Sequence, residues 1–332
     1  NKMAVEPVGP LRFRIGLPIV ISMILQAAYN VVDSAYLARM PVGGEDALTA
    51  LSLAFPVQLF MVAVSIGTGV GTNALLAKLL GLGDRENANR TAGNAQMLGI
   101  VISVIFMLFS LLGVRTHVSS QSAGGSISSV VLENAIGLPA IISQALLTVM
   151  TYSLNLILGA MPQVGQNAVT VYGLYYKIQQ LIIFAAFGVR DAITPVVSFN
   201  YGARNPDRVR QGIRWGLFYT VILMAAGCLG VELFAEPLAG LFSLSETTLP
   251  LCLDCMRIVS LGFLFAGLCI AFQGIFQALE CGIQSLVISL CRQVLFVLPP
   301  VWLLTRTVTG AADVSRVWWP LALGEAATLV VA

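Results

Sequence analysis

Residues Gly16–Ser22 read GLPIVIS, and residues Gly137–Ser143, which begin 121 positions later, read GLPAIIS. The similarity continues without a gap, and 16 of the 75 positions from Gly16 to Arg90 are identical to the residue 121 positions further on. Several of these identities are residues that constrain the backbone or hydrogen-bond: Pro41 and Pro162, Gln58 and Gln179, Gly67 and Gly188, Gly81 and Gly202. Self-similarity at one offset predicts a repeated structural unit.

The composition assigns this repeat to a membrane. Of the 332 residues 57% are hydrophobic and only 10% are charged, with a mean hydropathy of +0.87. This apolar content exceeds what a soluble domain buries in its core. A helix crosses a bilayer with about 20 mostly apolar residues. The sequence therefore predicts an all-α polytopic protein with about nine spans, at 15–38, 48–77, 92–112, 136–159, 168–199, 213–234, 252–279, 285–304 and 317–332.

The charged loops predict that the two copies point the same way. Each copy follows its second span with such a loop, at Lys78–Arg90 and Arg204–Arg214. Three spans separate these loops, which would place them on opposite sides of the membrane. If an odd number of further crossings lay between Leu112 and Gly137, loop Lys and Arg would divide ten to three between the sides, rather than eight to six. The stronger asymmetry is typical of membrane proteins.

The polar residues after Leu112 cannot supply the extra crossing, because their backbone groups would lack hydrogen-bond partners in lipid. We therefore expect three spans, roughly 90 residues, to be absent from the first copy. The predicted organisation is a partial amino-terminal bundle of three spans (1–112), a polar junction (113–129) and a carboxyl-terminal bundle of six spans (130–332). Its last span is still apolar at Ala332 and is predicted to be truncated.

Several stretches resemble the multidrug and toxic compound extrusion (MATE) family. They are MAVEPVGPL at Met3–Leu11, Leu17-Pro18 with YNVVDS at Tyr29–Ser34, YKIQ at Tyr176–Gln179, SFNYGAR at Ser198–Arg204, FQAL at Phe276–Leu279, Arg292-Gln293 with Pro299, and Trp318-Trp319 with Glu325. The resemblance implies two six-helix bundles related as parallel repeats around a central cavity, with sodium ions or protons entering as organic cations leave. On that plan the chain supplies spans one to three and seven to twelve.

Asp33 is the predicted coupling residue, because a carboxylate inside a span is costly unless a cation or proton neutralises it. Asn30 lies one turn earlier on the same helical face and can add a carbonyl oxygen to a sodium site. The alternative is that Asp33 lies in water at the helix end or pairs with a basic group. The resemblance implies that Asp33 acts with partners on spans five and six, which this chain lacks.

Polar side chains within the other spans are candidates for the substrate cavity: Tyr29, Gln58, Asn155, Lys177, Gln179, Gln180, Gln273, Gln277 and Glu325. Each has an alternative role. The glutamines can join helices by hydrogen bonds, Lys177 can extend to the membrane surface, and Glu325 can pair with Arg292. Arg190 and Asp191 are adjacent and are not expected to point in the same direction on a helix.

The predicted function is secondary active export of drugs or other amphipathic organic cations, driven by sodium ions or protons, without further cofactors. Two alternatives remain: an inactive or partial form of such a transporter, and a lipid-linked precursor flippase, which would need more cationic cavity residues and more spans. No enzyme motif, nucleic-acid partner or obligate protein partner is indicated. We expect a monomer in the bacterial cytoplasmic (inner) membrane, with its amino terminus in the cytoplasm.

Overall fold

The structure is a computed structural model that describes residues 6–38, 44–116, 137–162, 164–240, 248–308, 310 and 313–332. Within the helices, the side chains of residues 12, 26–38, 44–62, 109–116, 137–141, 144 and 148 lie outside this description. The residues that the structure describes are almost entirely helical. Their eleven α-helices and one π-helix are α1 (Val8–Ala38), α2 (Gly44–Leu82), α3 (Arg85–Thr116), α4 (Gly137–Gly159), α5 (Gly165–Gly202), α6 (Pro206–Gly240), α7 (Thr248–Ser260), α8 (Phe263–Ala278), α9 (Gly282–Leu290), the π-helix (Cys291–Leu295), α10 (Leu298–Thr305) and α11 (Ser315–Val331).

Most of these helices can cross a membrane. Six are long and apolar enough within the described residues, and a seventh span forms if α7 and α8, which meet at a bend of 47°, are counted together. The span is interrupted at Leu261-Gly262. Gly262 packs closely against the backbone of α11, since an added Cβ would lie 3.0 Å from the Cα of Ala322. The described part of α4 and the 17-residue α11 are apolar but shorter. The predicted all-α membrane architecture is confirmed.

The two sequence repeats pack against each other through α2 and α5. Near the end of α5, Gly202 lies against the backbone carbonyl of Lys78 on α2, and near the end of α2, Gly81 lies against the carbonyl of Phe199 on α5. Gly81 and Lys78 each lie 121 positions before their counterparts Gly202 and Phe199. The two contacts are therefore equivalent under the sequence repeat. Because both involve the carboxyl ends of their helices, the repeats are parallel.

The amino end of α1 lies on this same side of the bundle. Arg208, at the start of α6, donates a hydrogen bond of 2.7 Å to the carbonyl of Glu6, and Gly9 packs on the indole ring of Trp215. Further along, Gly16 contacts Ala192 and Val20 contacts Gly188, so α1 runs antiparallel to α5. We call this side of the bundle, which carries Lys78–Arg90 and Arg204–Arg214, the basic side.

The last helix of the first repeat, α3, ends on the side opposite to that where the first helix of the second repeat, α4, begins. The α2–α3 hairpin turns at Gly83, whose φ of 79° favours glycine, and Asp84 accepts hydrogen bonds from the backbone and side chain of Asn87. These bonds lower the pKa of Asp84. From this turn α3 leads to the opposite side, whereas α4 must begin on the basic side, because a short turn joins it to α5. Thr116 and Gly137 thus lie on opposite sides. Residues 117–136, which include most of the predicted junction (113–129), lie outside the described residues.

Among the side chains that the structure describes, the hydrophobic core lies mainly in the second repeat. Tyr172 and Tyr175 on α5, Phe263 on α8 and Trp318 on α11 are its largest fully buried side chains. Helix α5 is 72% buried, whereas residues Ala63–Leu82 of α2, its counterpart in the first repeat, are only 28% buried. The second repeat therefore surrounds its central helix, and the described part of the first repeat does not.

Candidate functional site

A small polar cavity lies where the two repeats meet. The polar lining is formed by Ser143 on α4, Arg190 on α5, Gln273 and Gln277 on α8, Ser289 on α9, and Arg292 and Gln293 on the π-helix. The first repeat contributes an apolar wall, Ile66 and Val70 on α2. The centre of a water molecule can occupy about 10 Å³ of this cavity, which is about the space that one water needs.

The π-helix brings two neighbouring residues to the cavity. In an α-helix, consecutive side chains point about 100° apart, so Arg292 and Gln293 would face different neighbours. The wider π-turn, closed here by the hydrogen bond from the Phe296 amide to the Cys291 carbonyl at 3.0 Å, leaves both side chains buried. Single π-turns inside membrane or soluble helices often occur at functional sites.

Arg190 enters the cavity because its neighbours make room for it. Its guanidinium group donates hydrogen bonds to one oxygen of Asp191, at 2.8 and 2.9 Å, and lies 4.8 Å from the centre of the Phe187 ring. Gly274 on α8 packs directly against the aliphatic part of Arg190, in the space that a Cβ would occupy. The adjacent charges therefore pair with each other, contrary to the expectation that they point apart, because the long arginine side chain folds back.

Arg292 pairs with Glu325 on α11, which does not itself line the cavity. The Nε of Arg292 donates to both carboxylate oxygens of Glu325, at 2.7 and 2.9 Å, and both side chains are largely buried. This is the pairing that the sequence offers as an alternative for Glu325. The geometry uses only Nε, and no residue in the described part of the chain accepts a hydrogen bond from the two terminal nitrogens of Arg292.

Three glutamines surround the arginines with their amide nitrogens already bound. Gln273 donates to Ser289 at 2.9 Å, Gln277 to Ser285 at 3.0 Å, and Gln293 to the carbonyl of Ser143 at 3.2 Å. The side-chain oxygens of Gln277 and Gln293 are buried without a hydrogen-bond partner. A buried polar atom without a partner is costly, which favours a water or ligand that donates a hydrogen bond there.

The structure gathers only some of the predicted cavity residues. Gln273 and Gln277 line the cavity, and Glu325 lies behind Arg292. Gln179, Gln180 and Asn155 are half-buried away from it, the oxygen of Asn155 without a partner, and Lys177 is exposed. Asp33, Asn30, Tyr29 and Gln58 lie on the described helices α1 and α2, but their side chains lie outside the described residues.

Sequence reasoning missed the role of the arginines. It found too few cationic cavity residues, whereas Arg190 and Arg292 both line the cavity. Hydrophobic periodicity assumes α-helical geometry and therefore cannot reveal the π-turn that turns Arg292 inward. The available signal was the presence of two arginines inside apolar spans, since intramembrane charges mark functional sites by default.

Comparison with known proteins identifies the family of this chain. A model of the MatE family matches residues 18–131 and 139–303, most of the chain. The chain belongs to the MatE family. The members that it resembles are transporters, and the fold of the chain is that of a polytopic membrane transporter.

Three relatives illustrate the similarity. The FAD transporter of Shewanella oneidensis is 19% identical over 397 residues, covering 88% of this chain and 87% of that protein. The probable multidrug resistance protein YoeA of Bacillus subtilis is 28% identical over 99 residues, covering 29% of this chain and 21% of YoeA. The outward-facing structure of a multidrug resistance MATE family transporter of the MOP superfamily superimposes with a TM-score of 0.86 at 18% identity, covering 99% of this chain and 95% of that one.

The alignment with the FAD transporter is longer than this chain. Because 88% of 332 residues is about 292 residues, about 105 of the 397 aligned positions have no residue of this chain opposite them. That number is close to the roughly 90 residues that three spans and their loops would need.

Proposed function

We propose that this MatE family chain is built as a secondary active exporter. Such a protein moves drugs or other amphipathic organic compounds out of the cell in exchange for sodium ions or protons. The observation that carries the proposal is the polar cavity between two parallel repeats, inside helices that are otherwise apolar. Transporters built from repeats commonly bind their substrate near the bilayer midplane at the interface of the repeats. Organic cations are the substrates that the sequence predicts.

Asp33 is the proposed binding residue for the coupling ion, with Asn30 as a second oxygen donor. The proposal rests on the cost of an acid inside a span and on the family resemblance. A sodium ion or a proton would relieve that cost, and no other cofactor is proposed.

The basic side is the proposed cytoplasmic side. On the topology predicted from the sequence, it carries ten of the loop Lys and Arg residues and the other side three, which is the asymmetry expected in a bacterial cytoplasmic membrane with the amino terminus inside. A monomer in the lipid bilayer is sufficient for this proposal, with neither a nucleic acid nor an obligate protein partner.

The predicted absence of three spans from the first repeat supports an inactive or partial form as the main alternative. The opposite locations of Thr116 and Gly137, the low burial of α2 and the unmatched positions in the alignment all favour three absent spans. A lipid-linked precursor flippase is a second alternative, and the two cavity arginines favour it more than the sequence did.

Efflux assays separate the exporter from the partial form. Cells would express the chain as it is, a version with three spans inserted between Thr116 and Gly137, and Asp33→Asn in each. Ethidium or norfloxacin accumulation is the readout. We expect efflux from the restored version and its loss in Asp33→Asn. Efflux from the short chain that depends on Asp33 would contradict the partial form, and no efflux from either version would contradict the exporter.

A further inference from the structure

We infer that Arg190 and Arg292 form a binding site for the acidic group, a carboxylate or a phosphate, of the transported compound. This inference rests on the proposed export function and narrows its substrate class. It favours amphipathic organic acids and zwitterions over compounds that carry only a positive charge.

The first step is the direction of the charges. Arg190 and Arg292 line the cavity, whereas Asp191 and Glu325, the carboxylates that hold them, do not. Glu325 uses only the Nε of Arg292, so the two terminal nitrogens of this cavity-lining arginine remain available to donate to a ligand. Guanidinium groups bind carboxylates and phosphates through two parallel hydrogen bonds, which suits this position.

The second step is the set of acceptors beside these donors. Gln277 and Gln293 line the same cavity, and their side-chain oxygens, which can accept hydrogen bonds, are buried without a partner. An acidic group with a neighbouring N–H or O–H, as in a zwitterion or a phosphate monoester, can satisfy the guanidinium donors and these oxygens together. A compound with only cationic groups would satisfy the oxygens and leave the guanidinium groups facing a positive charge.

The third step is the wall opposite. Ile66 and Val70 come from the first repeat, and the polar residues come from the second. An amphipathic compound can therefore place its acidic group on the second repeat and its apolar body toward α2. The cavity has room for about one water while the repeats are in contact, so binding a whole compound requires it to widen between α2 and the second repeat.

The test measures binding by the purified full chain in lipid nanodiscs. Two matched pairs serve as probes: norfloxacin with its methyl ester, and riboflavin 5′-phosphate with riboflavin. Each pair keeps the apolar body and removes the acidic charge; ethidium is the purely cationic probe. We expect the acidic member to bind at least about tenfold more tightly in one pair or both, which corresponds to about 1.4 kcal/mol. Preference in the first pair alone assigns a carboxylate, and in the second alone a phosphate.

The variants remove charges in pairs, so that no buried charge loses its partner. Arg190→Gln with Asp191→Asn, and Arg292→Gln with Glu325→Gln, should each abolish the preference, and Arg190→Lys should keep part of it. Gly274→Ala should weaken the preference by displacing Arg190. Arg210→Gln removes an exposed positive charge and should leave the preference unchanged. A purely structural role for the arginines would change the stability of the protein but not the ratio within a pair.

The outcomes also separate this inference from the proposed function. If ethidium is bound and exported while neither acidic probe is preferred, or if the paired variants keep the preference, the inference is wrong and the exporter stands. If no probe binds to the chain or is exported by the version with three spans restored, both are wrong.

Discussion

Gly202 lies directly against the backbone carbonyl of Lys78, and this contact has a reciprocal copy at the 121-residue offset, in which Gly81 lies against the carbonyl of Phe199. A reciprocal pair of this kind is what a twofold relation between two parallel repeats produces. It depends on glycine at both positions, because a side chain would hold the two helices apart. The glycines of the sequence repeat are thus explained by the helix contact that they permit.

Gly202→Ala should weaken the contact between the repeats. The added Cβ would overlap the Lys78 carbonyl, and backbone atoms cannot move aside as a flexible side chain can. Overpacking of this kind costs about 1 to 3 kcal/mol. Thermal unfolding of the detergent-solubilised protein, followed by size-exclusion chromatography, measures the loss. Gly81→Ala should have a similar effect.

Gly173→Ala is the matched control, because it lies on the same helix and open space surrounds its added Cβ. It should leave the stability unchanged or raise it slightly, since alanine favours helix over glycine. Equal behaviour of Gly173→Ala and Gly202→Ala would contradict the proposed packing.

The ion pair between Lys78 and Glu280 should help to close the basic side. The Nζ of Lys78 on α2 lies 2.6 Å from the Oε2 of Glu280 in the turn between α8 and α9, so the pair joins the two repeats. Both side chains are partly exposed, and we expect a contribution below about 1 kcal/mol that falls with added salt. Lys78→Glu and Glu280→Lys should each lower the melting temperature, and the double exchange should restore most of it.

The exposed pair Glu86 and Arg90, one turn apart within α3, is the control for this cycle. Exchanging its charges should not change the stability of the contact between the repeats. A double exchange of Lys78 and Glu280 that is as unstable as its two single variants would argue against the ion pair.

Glu325→Ala should destabilise the protein strongly, because it leaves the buried charge of Arg292 without a carboxylate. Breaking one side of a buried pair costs about 3 to 5 kcal/mol. Replacing both residues by methionine should cost far less than either single change. Denaturant unfolding of the four proteins measures this non-additivity. Glu236→Ala breaks an exposed pair with Arg257 and should have little effect; additive losses at Arg292 and Glu325 would contradict a coupled pair.

The architecture was largely predictable, and the cavity was not. The repeated GLP, the glycines at 81 and 202 and the paired charged loops are visible at one offset, so the parallel repeats could be read from the sequence. Arg292 and Gln293 reach the cavity from a π-turn, which no pattern of period 3.6 reveals. The pairing of Arg190 with Asp191 depends on the space at Gly274, which belongs to another helix and becomes apparent only after folding.

The location of the two charged loops on one side of the membrane tests the central claim most directly. In a version without native cysteines, single cysteines at Glu86, Asp207 and Thr307, all at exposed positions, would be labelled with a membrane-impermeant maleimide in intact and in permeabilised cells. Two parallel repeats predict that the cysteines at 86 and 207 react only after permeabilisation and the cysteine at 307 reacts in intact cells. Labelling of 86 and 207 from opposite sides of the membrane would contradict the account.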